Sequence, residues 1–110
     1  MGKGEFLGEF ELYVMLALGQ LGPEAYGVTI RQEIERRTGR SVAIGAVYAT
    51  LARLEDKALV RHALSAPLPV QGGRARKCFV LTPEGEQAVS HSTAMLARMM
   101  QGWRPRTEGR

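Results

Sequence analysis

The sequence predicts a mainly α fold with one small β-hairpin. Three observations predict it: helical apolar spacing through the first half of the chain, two short alternating stretches joined by a basic loop, and a long final stretch with its own helix-start signal. A chain of 110 residues, 45% hydrophobic and 24% charged, fits one domain whose core requires neither disulfide nor metal.

The first helix is expected over residues 5–21, where Phe6, Leu7, Phe10, Tyr13, Val14, Ala17, Leu18 and Leu21 recur at three- and four-residue intervals. Leu12 and Leu16 lie off that face, so the helix should be covered on two sides, the second cover being a partner subunit. Gly22-Pro23 ends it, since proline disfavours helical geometry in the preceding residue. A second helix over residues 26–38 keeps Tyr26, Ile30 and Ile34 on one face, with Gly39 as its C-terminal cap. Ile44, Val47, Tyr48, Leu51 and Leu54 mark a third, running to about residue 58. Its other face is Gly45, Ala46, Ala49, Thr50 and Arg53, a surface of small side chains that another macromolecule can approach closely.

Val60, His62 and Leu64 then alternate with Arg61, Ala63 and Ser65, the period of a half-buried strand. A second strand over residues 76–82 answers it, and the loop between them holds two prolines and Gly72-Gly73. Thr82 as N-cap, Pro83 at the first helical position and Glu84 in the first turn open a fourth helix reaching about residue 103. Residues 105–110 are expected to form a frayed tail.

Helix, helix, helix, strand, basic loop, strand, helix is the order of a winged helix-turn-helix, here followed by a helix suited to dimerisation. Residues 1–82 would form the DNA-binding unit and residues 83–104 the dimerisation helix. The third helix would enter the major groove of double-stranded DNA, which admits a helix and displays a distinct pattern for each base pair. On it, Thr50 suits a base edge or a phosphate, and Arg53 a phosphate or, less readily, guanine; the alternative for Arg53 is a solvated side chain paired with Asp56. The place of Tyr48 in the apolar spacing favours a core role for its ring, the alternative being a phosphate contact for its hydroxyl at the rim. Arg74, Arg76 and Lys77, three cations within four positions beside glycines, have a phosphate-binding composition.

In the last helix Val89, Ser92, Leu96, Met99 and Trp103 form a heptad-like seam over some 20 residues, about 30 Å. Little chain is left to cover it, so a second copy should, with Phe6 and Phe10 of the first helix sharing the interface. Met95, Met99 and Trp103 could also line a cavity between subunits for a flat apolar or aromatic effector.

Net charge is +4, and residues 41–82, with six bases against two acids, carry a surplus of that same size. This suits a polyanionic partner; a general solubility bias is the alternative. With Cys78 as the sole cysteine, a disulfide scaffold is excluded and a reducing, cytoplasmic setting fits. Glu5, Glu9 and Glu11 interrupt any export signal, and no membrane span is expected. His62 and His91 accompany no cysteine or carboxylate cluster, so neither zinc nor another cofactor is expected, and no catalytic motif points to an enzyme.

Four groups of residues resemble the PadR family of bacterial regulators. They are Leu7-Gly8-Glu9-Phe10-Glu11, then Ala25-Tyr26-Gly27-Val28, then Gly45-Ala46-Val47-Tyr48-Ala49-Thr50-Leu51-Ala52-Arg53-Leu54-Glu55, and finally Gly72-Gly73-Arg74 with Leu81-Thr82-Pro83-Glu84-Gly85. The resemblance runs from Leu7 to about Ala97 and looks like the family's compact subgroup. It implies a homodimeric winged helix, usually a repressor relieved by a small molecule or stress signal, with DNA contacts at Tyr48, Thr50, Arg53, Arg74, Arg76 and Lys77. A winged helix that docks a protein and not DNA is the competing reading. Ala43 departs from a common capping serine, Ala58 from a common glycine in a left-handed turn, and Cys78 from a common aromatic.

Overall fold

The computed structural model describes residues 7–64 and 76–106. Phe6, Arg74 and the loop glycines lie outside these residues. The element order is α1 (Glu9–Leu21), a short 3-10 turn (Gly22–Glu24), α2 (Gly27–Thr38), α3 (Ile44–Asp56), β1 (Val60–Leu64), β2 (Lys77–Leu81) and α4 (Pro83–Met100). The strands pair antiparallel from Val60 opposite Leu81 to Leu64 opposite Lys77. This is the winged-helix arrangement that the element order implies.

The core is built on α1. Val14, Met15, Ala17 and Leu18 are buried there against Ile30 and Ile34 of α2, Val47, Leu51 and Leu54 of α3, and Val60 and Phe79 of the hairpin. Met15, which the spacing had not singled out, is fully buried. The helix stops fall where the residues require them. Gly22 adopts φ 61° and donates its N–H to Leu18, and Gly39 sits in the left-handed region (φ 74°) donating to Glu35 at 2.8 Å. Ala25 then ties the helices to the hairpin, because its carbonyl accepts the N–H of Phe79 at 2.9 Å.

The hairpin departs from the expected alternation. Only Val60 is buried in β1; His62 and Leu64 are exposed with Arg61 and Ala63, because it is β2, through the Phe79 N–H on Ala25, that faces the entry of α2 and β1 is the outer strand. His62 instead bonds the Glu55 carboxylate and tilts against Phe79 at 5.9 Å between ring centroids.

Thr82 joins three elements at one point. Its N–H donates to Leu59, its hydroxyl donates to the Ala58 carbonyl at 2.8 Å, and the same oxygen accepts the Gly85 N–H at 2.9 Å as the N-cap of α4. The first turn of α4 therefore sits directly on the turn after α3. A Cβ on Gly85 would lie 2.0 Å from the Leu59 carbonyl oxygen, so only glycine fits. At that turn Ala58 has φ 62°, the non-glycine residue with positive φ among the described residues. The helix itself ends at Met100, short of the expected Trp103, which follows a turn at Gly102 (φ 81°).

These two positions should respond in opposite directions. Ala58→Gly relieves about 1–2 kcal/mol of left-handed strain against about 0.4–1 kcal/mol of added unfolded-state entropy, so the variant should melt a few degrees higher. Gly85→Ala forces backbone apart and should cost about 3 kcal/mol. Thermal and urea unfolding of the two variants beside wild type checks both.

Candidate nucleic-acid interface

The inner face of α3 holds Val47, Thr50, Leu51 and Leu54, all buried, which leaves Gly45, Ala46, Tyr48, Ala49, Ala52, Arg53 and Asp56 outward. On that outward face only Tyr48, Arg53 and, in the last turn, Asp56 are larger than alanine. A backbone can therefore approach the helix closely, as the major groove requires.

Two assignments change. Thr50, expected on the open face, is only 2% exposed, so its hydroxyl does not reach a base edge. It accepts a hydrogen bond from Nη2 of Arg53 at 3.1 Å instead. Tyr48, for which the spacing favoured a core role, is exposed. Its ring lies against the start of α2, where a Cβ on Gly27 would come within 2.5 Å of it.

Tyr48 forms one wall of a cleft of about 490 Å³. The other walls are Tyr26, the first turn of α2 (Gly27, Val28 and Thr29), and Arg76 and Lys77 at the base of β2. The Arg76 guanidinium lies 4.6 Å from the centroid of the Tyr26 ring, which fixes its charge at the cleft. The first N–H groups of a helix have no intrahelical acceptor, and the dipole there favours an anion. A helix start, a phenol and two cations suit a phosphate oxygen. The fold thus gathers Tyr48, Arg76 and Lys77, distant in sequence; Tyr26 and the α2 start complete the cleft and were not anticipated. Their signal was the Ala25-Tyr26-Gly27-Val28 stretch, read as a helix start and not as a binding wall.

Arg53 lies one and a half turns further along α3. Its Nε is 3.8 Å from the Glu11 carboxylate, so its acidic neighbour comes from α1 and not from Asp56. Lys57 reaches the same carboxylate at 3.2 Å, and Oε1 of Glu11 accepts the Gly8 N–H at 2.9 Å. Burial pushes the Glu11 carboxyl up, but the Gly8 N–H and the Lys57 ammonium outweigh it and hold the group below the usual carboxylate range.

The dimerisation residues divide into two sets. Phe10 and Val89 are half-buried against the core, whereas Met95, Leu96, Met99 and Met100 on the distal half of α4, and Trp103 beyond it, are exposed. Met99 is 79% exposed and Trp103 69%, a run of large apolar side chains without cover among the described residues. Among those residues, no helix is long and apolar enough to cross a membrane.

Residues 14–91 match the sequence model of the transcriptional regulator PadR-like family. The chain belongs to this family. Its members are transcription regulators, not enzymes, and membership places the chain among DNA-binding regulators. A PadR-like transcription factor from Bacteroides fragilis superposes with a TM-score of 0.70 at 26% identity, covering 84% of each chain. A Streptococcus transcriptional regulator gives 0.69 at 29% identity over 84% of this chain and 85% of that one. In sequence, a 37.1 kDa protein of transposon Tn4556 from Streptomyces fradiae is 35% identical over 89 residues. Those residues are 81% of this chain but 23% of that protein, so the PadR-like chain spans about a quarter of that relative's length.

The lowered Glu11 pKa sets a pH dependence. A carboxyl whose folded pKa lies below its unfolded value contributes stability above the unfolded value and loses it as pH falls through the folded one. Glu11→Gln should therefore be less stable than wild type at neutral pH, and the gap should close as pH drops below 4.5. Urea unfolding repeated from neutral pH to about pH 3 reads this directly.

Proposed function

We propose that this PadR-like chain is a sequence-specific DNA-binding repressor that acts as a cytoplasmic homodimer in a bacterium. The observation that carries the reading is the small-residue face of α3 running into the cleft of Tyr48, Arg76 and Lys77. On it, α3 enters the major groove with Arg53 reaching the duplex, while Tyr48, Arg76 and Lys77 take phosphates beside the start of α2. Arg74, outside the described residues, belongs to the same basic loop and is assigned a phosphate on its composition. Thr50 is assigned no direct contact.

Dimerisation is assigned to α4, residues 83–104 serving as its segment. Leu96, Met99 and Trp103 of two copies cover one another, with Val89, Phe10 and Phe6 at the edge of the contact. Exposed apolar side chains of this size seldom stay in water on a soluble monomer. Two clasped copies hold their reading helices about one turn of duplex apart, near 34 Å. At this seam Met95, Met99 and Trp103 would receive a flat apolar or aromatic effector that relieves repression.

Two results are expected. In titrations of a duplex protected upstream of its own gene, Arg76→Ala with Lys77→Ala should weaken binding and lower the slope of log K against log salt by about 2. An unchanged slope would remove the cleft from the interface, and failure of wild type to bind any fragment of its locus at low salt would favour a protein partner instead. Sedimentation should find a dimer at micromolar concentration, and Leu96→Glu with Met99→Glu should yield monomers with weaker binding to the same duplex. A strictly monomeric wild type would sink the dimer.

A further inference from the structure

Glu11 lies on α1, outside the surface assigned to DNA, yet it governs how one residue of that surface is held. Its side chain is only 12% exposed and is fixed from two sides by the Gly8 N–H and the Lys57 ammonium. Arg53 Nε lies 3.8 Å from its Oε2, while Nη2 of the same guanidinium donates to Thr50 Oγ1 at 3.1 Å. Both anchors are constrained, one as a carboxylate at the capped start of α1 and the other as a hydroxyl in the core. Nη1 makes no hydrogen bond among the described residues, and the Arg53 side chain is 56% exposed.

We propose that Glu11 is a positioning residue for DNA recognition: with Thr50 it holds Arg53 so that one edge of the guanidinium is presented to the duplex from a fixed place on α3. The inference rests on the DNA-binding reading above. An arginine already held by its inner edge loses less side-chain freedom on meeting a partner than a free one. A base or phosphate then meets it only in the register that suits the fixed edge. Competition with the duplex is not the role of this carboxylate. It faces the inner edge of Arg53, and Arg53 and Lys57 together outweigh its charge. Its low pKa keeps it ionised and able to hold Arg53 at neutral pH.

The test compares the protected duplex with a scrambled duplex of equal length, titrated with wild type, Glu11→Gln, Arg53→Ala, Arg53→Lys and the Glu11→Gln Arg53→Ala combination. Glutamine can still accept the Gly8 N–H, and a melting curve for each variant confirms folding. Glu11→Gln should weaken binding to the protected duplex about fivefold or more while the scrambled duplex binds as before or tighter. In the Arg53→Ala background the same change should do nothing to the protected duplex. Arg53→Lys, which keeps the charge but lacks the fork, should lose discrimination as Arg53→Ala does.

Equal shifts on both duplexes, in either direction, overturn the proposal, since a loss of folding or of simple charge acts on both alike. So does unchanged binding by Glu11→Gln, or a loss that persists without Arg53. Should Glu11→Gln fail to fold, Arg53→Lys decides: retained discrimination overturns the proposal and lost discrimination supports it. If wild type does not distinguish the two duplexes, the DNA-binding reading fails first and this inference goes with it; if wild type does and Glu11→Gln does too, only this inference fails.

Discussion

The structure depends on α3 being buried along one side only. Val47, Thr50, Leu51 and Leu54 put that side into the core, each at 2% exposure or less. Truncating one such leucine to alanine typically costs about 2–5 kcal/mol, a large part of the stability of a small domain. Because the inner face carries the anchorage, the outer face is free to be almost bare. Gly45, Ala46, Ala49 and Ala52 contribute nothing to holding the helix in place, and their smallness is what lets a duplex come near. Anchorage and access are thus two sides of one helix, divided by its periodicity.

That division would be of little use if α3 could tilt, and two joints prevent it. At the C-terminal end, Thr82 bonds Ala58, Leu59 and Gly85 together, so the end of α3, the first strand and the start of α4 share one hydrogen-bonded corner. The contact is tight enough that α4 must place a glycine there. On the other side, Ala25 bonds Phe79, which fixes β2 to the entry of α2 and brings Arg76 over Tyr26. The cleft is thus built from α2, α3 and β2, with β2 tied to the entry of α2 by that bond and Arg76 held over Tyr26 on its rim.

Much of this was legible in the residues. Gly22-Pro23, Gly39 and Thr82-Pro83 mark real boundaries because each answers a backbone requirement that is local, a positive φ or a missing acceptor. Ala58 likewise occupies the left-handed turn anticipated for it. Polarity misleads at Thr50 and Tyr48. At about 100° per residue, the apolar positions 44, 47, 51 and 54 span about 80° of α3, and positions 48 and 50 flank that arc about 40° beyond either edge, so the period alone does not say which of the two turns inward. A threonine methyl fills the inner site, and a tyrosine counted as apolar lies outside it. Glu11 was invisible as a partner of Arg53 because 42 residues separate them and only the packing of α1 on α3 closes the gap. Leu64 was misread for the opposite reason: alternation sorts side chains to two faces of a ribbon but does not say whether either face is covered.

The position of α1 accounts for how these parts belong to one device. It touches α2, α3, β2 and α4, so beside the Thr82 corner it gives a second path between the reading helix and the long C-terminal helix. Its buried stripe of Val14, Met15, Ala17 and Leu18 supports the core, and interiors packed at this density transmit displacement and do not absorb it. The same helix carries the half-buried Phe10 in its first turn and Glu11 one residue on, the first packed against the core and the second turned toward Arg53 and Lys57. Successive residues on a helix point about 100° apart, so one turn of α1 can face the seam assigned to dimerisation and the cations of α3 at once. A shift of α1 by a fraction of an ångström at Phe10 is therefore a shift at Glu11 as well. One turn of α1 thus links the two surfaces alongside the Thr82 corner.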